Sequence, residues 1–158
     1  MKKIGSYTVR GLIDPESASN GLTKKIQLFD GRFDTAMKIT KFELLMEDPD
    51  NTTNDVYGIL LTEFLYSGTD ATWDFSENRQ LGWASAASIY SDSGLASQPF
   101  NLIDRDNLVV EDLFVYVRTG TSARGVNYYI EMDKYDISES IGALTMIRNG
   151  AQNVGWYY

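Results

Sequence analysis

A chain of 158 residues has the length of one ordinary domain and buries enough surface on folding to need no covalent staple. It contains no cysteine and no histidine, which excludes disulfides, thiolate nucleophiles, imidazole bases and Cys- or His-ligated metals. A formal charge of −8, from 14 basic and 22 acidic side chains, opposes the phosphate neutralisation on which nucleic-acid binding depends.

Ten Tyr, seven Phe and three Trp bring the aromatic fraction to 13%, and aromatic side chains favour half-buried, pleated surfaces. The lysine pairs Lys2 and Lys3, Lys24 and Lys25, and Lys38 and Lys41 read as solvated strand faces. Met1-Lys2-Lys3 opens like a signal peptide, but the run that follows is broken by polar and charged residues. No stretch approaches the eighteen or so apolar residues that a membrane-spanning helix needs.

In chain order, short runs rich in Val, Ile, Tyr and Phe alternate with Gly, Asn, Asp and Ser clusters, as strands and turns do. Residues 7–13 form the first predicted strand. Residues 22–29 alternate as a second and close on Asp30-Gly31, a turn pair. Residues 37–46 form a long third strand with Phe42, Leu44 and Met46 on one face. A polar, acidic loop over 47–55 leads to a strand at 56–65. Weaker strands are predicted at 80–90 and 100–103, flanking a loop at 91–99. Residues 108–117 are nearly all apolar, as a strand buried on both faces should be. Residues 126–135 alternate with Tyr128, Ile130 and Met132 on one side, and 119–125 read as the hairpin loop between these last two strands. One short helix is predicted from a Ser138 cap to Gly150, carried by Ile141, Leu144 and Ile147, with a strand as the alternative. The expected fold is all-β: a single antiparallel two-sheet sandwich of jelly-roll type over 1–158, with residues 151–158 as a C-terminal arm.

Four constellations bear on chemistry. Asp48, Asp50 and Asn51 offer oxygens to a cation, but Thr53 and Ile59 stand where a calcium loop needs Gly and a bidentate Glu, so this stretch reads as a solvated hairpin loop. Glu111-Asp112 and Glu131 with Asp133 fall on strands expected to be adjacent, where a carboxylate pair would suit glycoside hydrolysis at a separation of roughly 5–10 Å. Acidic strand faces are ordinary in a chain of this charge, and no catalytic residue, metal or cofactor is assigned. Trp73, with Asp74 and Asn78 to take hydroxyls, would suit a sugar-binding platform; the simpler role of such Trp side chains is to fill the ends of the sandwich. Val154, Trp156, Tyr157 and Tyr158 form an aromatic cluster after the flexible 150–153, suited to docking on a neighbouring subunit.

Asn107-Leu108-Val109-Val110-Glu111-Asp112-Leu113, then Val126-Asn127-Tyr128-Tyr129-Ile130-Glu131-Met132-Asp133, then Gly150-Ala151-Gln152, together resemble small jelly-roll virion proteins of bacterial viruses. The resemblance implies a capsid or capsid-associated role without catalytic residues. Its partners would be copies of itself and other virion proteins, and its location the virion, with the host cytoplasm during assembly. The alternative is a carbohydrate- or receptor-binding β-sandwich module, the one reading under which a glycan is a partner.

Overall fold

The period-two patterns of the sequence are laid down as strands in the computed structural model, which describes residues 1–14, 21–48, 54–66, 71–91, 94–120 and 125–138. Among the described residues there are eight strands: β1 (Lys2–Ile13), β2 (Leu22–Ile26), β3 (Thr35–Met46), β4 (Asn54–Leu61), β5 (Gln80–Ser91), β6 (Gly94–Ile103), β7 (Leu113–Thr119) and β8 (Val126–Asp136). All pairings between them are antiparallel. No helix among the described residues is long and apolar enough to cross a membrane. The expected helix and the aromatic arm lie outside the described residues, apart from Ser138, whose backbone N–H donates to Asp136 Oδ1 at 2.9 Å.

The strands form two sheets, one ordered β1-β8-β3 and the other β2-β7-β4-β5-β6. The order is that of a long hairpin folded between β4 and β5 and then rolled up, so that β4 meets β5, β2 meets β7 and β1 meets β8. Strands β4 to β7 make a Greek key, in the spatial order β7-β4-β5-β6, the connectivity from which jelly rolls are built. Strand β6 stays beside β5, and the chain after it crosses to the other sheet. There Met37 and Val109 exchange backbone hydrogen bonds of 2.7 and 2.8 Å. Two residues along, Asn107 acts like a strand residue: its Oδ1 accepts the Ile39 N–H at 2.7 Å and its Nδ2 donates to the Ile39 carbonyl at 3.0 Å.

Alternation decides which side chains meet between the sheets. Ile39, Phe42, Leu44 and Met46 of β3 lie beside Met132, Ile130, Tyr128 and Val126 of β8, and all are buried against Val115 and Val117 of β7 and Val56 and Leu60 of β4. The faces expected for 37–46 and 126–135 are those observed. Gly58 lies at the middle of this contact, where a Cβ would meet Leu44 Cδ1 at 2.6 Å and the Tyr116 carbonyl at 2.7 Å, so the bare backbone lets the opposite sheet come close. Gly31 supplies the turn expected of Asp30-Gly31, with φ at 85°.

Several expectations are corrected. Residues 94–99 are strand rather than loop, and β7 begins at Leu113 because Asn107 and Val109 are tied to β3. The strands on either side of 47–55, and those on either side of 119–125, belong to different sheets, so neither segment is the turn of a hairpin. A polar link rich in turn-forming residues satisfies its backbone at either kind of bend, so composition alone does not separate the two.

Candidate functional site

The outer face of the five-stranded sheet is where strand register gathers residues distant in sequence. Reading across it, Thr23, Tyr116, Ile59, Trp83 and Leu102 form one row. Arg118, Tyr57, Ser85 and Phe100 form the next, and Asp55, Ala87 and Gln98 the one after.

The first row is roofed by the β4–β5 connection. Ala71, Leu65 and Tyr66 pack on Ile59, Leu61, Trp83 and Tyr116 as a second, smaller core. This roof is why β7 is buried on both faces, as its apolar sequence led us to expect. Gln80, 3% exposed, ties the roof down: its amide donates to the Thr72 carbonyl at 2.9 Å and to Tyr66 Oη at 3.0 Å, and its oxygen accepts from Trp83 Nε1 at 2.9 Å and the Asp74 N–H at 3.0 Å. Tyr57 Oη donates to the Ala71 carbonyl at 2.8 Å, and Tyr116 Oη accepts the Ala71 N–H at 3.2 Å. Burial disfavours the charged phenolate and pushes the Tyr116 hydroxyl up to about 12.

Trp73 leaves the roof and reaches over the second row. Its ring stacks on Phe100 with centroids 5.4 Å apart and an interplanar angle of 27°, and meets Tyr57 edge-on at 6.4 Å. Tyr57 and Phe100 flank Ser85, so the indole bridges above that small side chain. Beyond the bridge opens a trough of about 730 Å³, with Ser85 and Ala87 on its floor, Tyr57 and Asp55 along β4, and Phe100 and Gln98 along β6. The side chains of Asp55, Ser85 and Gln98 make no hydrogen bond to the described residues, while Trp73 and Phe100 keep 40% and 47% of their surface exposed.

Of the residues that the sequence nominated for a sugar platform, Trp73 does not line this trough but packs on Phe100 and Tyr57, which do. The Asp74 carboxylate turns inward on its own loop, accepting from the Ser76 N–H at 2.9 Å and the Ser76 hydroxyl at 2.6 Å. Asn78 lies in the turn that leads into β5. Val154, Trp156, Tyr157 and Tyr158 lie outside the described residues. Tyr57, Asp55, Ser85, Gln98 and Phe100 went unnoticed in the sequence. Their one local signal is the pair of small residues, Ser85 and Ala87, at alternate positions of β5, and its meaning depends on the strands either side.

The carboxylates considered for hydrolysis are not on adjacent strands. Asp112 precedes β7 in one sheet, whereas Glu131 and Asp133 are on β8 in the other. Asp112, Glu131 and Asp133 each have a structural partner. Asp112 Oδ1 accepts the Leu28 and Phe29 N–H groups at 3.1 and 3.3 Å and pairs with Lys25 at 2.9 Å, and these contacts hold its carboxyl below the ordinary range. Asp133 is lowered in the same way by Lys3 at 2.9 Å and the Ser6 hydroxyl at 2.7 Å, and Glu131 accepts from Tyr129 Oη at 2.9 Å. Among the described residues no cluster of three acidic side chains is placed to hold a metal ion. The outer face of the three-stranded sheet carries mixed charge, with Lys41 5.6 Å over the Tyr129 ring and 3.6 Å from Glu43. No protein-family model matches the chain, and no curated protein matches it.

Proposed function

We propose that this chain is a virion structural protein, a capsid or capsid-associated subunit that works through contacts with copies of itself and with coat proteins. The observation that carries the reading is the rolled-hairpin strand order, an architecture used in viral shells, in which rigidity comes from two sheets sharing one core. The residues resembling small jelly-roll virion proteins lead into β7 at Leu113 and supply most of β8, two strands that are each paired on both sides. Phe64, Phe75 and Leu102 add apolar surface on the roofed face, at 54%, 70% and 44% exposure, which a neighbouring subunit would cover.

Light scattering and sedimentation over a range of concentrations test the proposal. The wild-type chain is expected to self-associate or to bind purified coat protein, and Phe75→Ser with Leu102→Glu is expected to weaken that association without lowering the melting temperature. A chain that stays monomeric at millimolar concentration and binds no virion component would overturn it.

A further inference from the structure

We infer that the trough beyond Trp73 is a binding site for one ring of a neutral sugar. The inference goes beyond the assembly role and stands independently of it. The width comes from the sheet. Strands β4 and β6 flank β5, and neighbouring strands lie about 4.8 Å apart, so the two walls stand roughly 10 Å apart across a floor of Ser85 and Ala87. That gap admits a single pyranose ring between side-chain walls and excludes a helix, which with its side chains is about 10–12 Å across.

The chemistry of the lining selects among small ligands. Tyr57 and Phe100, the latter backed by the stacked Trp73, present aromatic surface at one end, and the negative face of an aromatic ring attracts the weakly positive C–H face of a sugar. Asp55 and Gln98 flank Ala87 in register, the Asp55 carboxylate lying close to Gly120, with the Ser85 hydroxyl on the floor, and all three side chains are without hydrogen bonds to the described residues. A wholly apolar ligand would strip water from these groups and give nothing back, whereas sugar hydroxyls both donate and accept. Among the described residues Asp55 is the one charged side chain that lines the trough, with Arg118 beside Tyr57 on the side away from β5, so an acidic sugar would meet a carboxylate and no lining cation. An aromatic end wall, polar sides and a small-residue floor therefore match a neutral hexose unit within a glycan.

The test is calorimetric titration of the full chain with neutral gluco-, galacto-, manno- and N-acetylglucosamine oligosaccharides, followed in parallel by tryptophan fluorescence. We expect at least one series to bind and its acidic or phosphorylated counterparts to bind more weakly. Ala87→Leu fills the trough from the solvent side of β5, and should reduce affinity by about tenfold or more with an unchanged melting temperature. Gln98→Ala, which removes one exposed amide, should weaken binding several-fold in a chain that folds like the wild type. Three results would each overturn the inference: no oligosaccharide of the panel binds, binding persists at full strength in both variants, or Ala87→Leu alters self-association while sugar affinity stays the same. The last of these would mark the trough as a protein interface.

Discussion

Asn107 illustrates how one side chain can stand in for a stretch of strand. It is 6% exposed, and besides its two bonds to Ile39 its Nδ2 donates to the Asp104 carbonyl at 2.6 Å. Replacing it by Leu keeps the volume but leaves the N–H and C=O of Ile39 buried and unpaired. The expected loss is about 2–4 kcal/mol in urea unfolding, more than a surface Asn would show. Thr119 poses the opposite case. Its hydroxyl is buried, with the residue 1% exposed, and finds no hydrogen-bond partner among the described residues. Thr119→Val removes an unmatched polar atom at nearly constant shape, so stability should hold or rise by up to about 1 kcal/mol. A clear loss in thermal unfolding would show that the hydroxyl has a partner after all.

Between elements, Asp112 fastens the chain leaving β2 to the start of β7 through Lys25 and two backbone N–H groups. Because the fold lowers its pKa, the folded state favours the ionised form. The stabilisation is present above the ordinary aspartate value of about 3.9 and is lost as pH falls through the lower, folded value. Asp112→Asn should therefore cost about 1 kcal/mol at neutral pH and flatten the acid side of the stability curve, as read from denaturant midpoints at a series of pH values. The sheet edges show a second device. Edge strands β1, β2 and β3 carry Lys2, Lys3, Lys24, Lys25, Lys38 and Lys41, whereas β6 has no charged residue at all. The Asp104 N–H donates to the Leu81 carbonyl at 2.9 Å, and the alternation of an antiparallel ladder then turns the Pro99 backbone toward the open edge. Proline offers no donor there, which blunts the edge without charge. Pro99→Val should restore the donor and increase strand-to-strand association, seen as faster aggregation by light scattering at unchanged thermal stability.

For the molecule as a whole, the expected arm gives the test that bears on assembly. The two sheets close one shared core from residues before position 138, with Val115, Val117, Val126 and Ile130 fully buried. Deleting residues 154–158 should accordingly leave the β-type circular dichroism and melting temperature nearly unchanged while weakening self-association, because Trp156, Tyr157 and Tyr158 would act as aromatic anchors in a neighbour. A deletion that unfolds the monomer would place this segment in its own core and remove it from any interface.

What the sequence determined by itself was local. Alternation in 37–46 and 126–135 assigned the inward faces of β3 and β8, the apolar run at 108–117 marked a doubly buried strand that in the structure starts at Leu113, and Asp30-Gly31 marked a turn, because each of these is a property of neighbouring residues and of backbone geometry. Pairing was decided only by the tertiary structure. Whether 47–55 and 119–125 reverse within a sheet or arch between sheets depends on which strands compete for β4, β7 and β8, and a polar link serves either path equally well. The candidate site belongs to the same class. Asp55, Ala87 and Gln98 form one row only because β4, β5 and β6 lie side by side in a particular register, and Trp73 bridges the neighbouring row of Tyr57, Ser85 and Phe100 from a loop that folds back over the sheet. Those contacts join segments far apart in the chain, and residue-by-residue patterning carries no record of them, because burial on a pleated face constrains each side chain's polarity and leaves the identity of its neighbour across the ladder free.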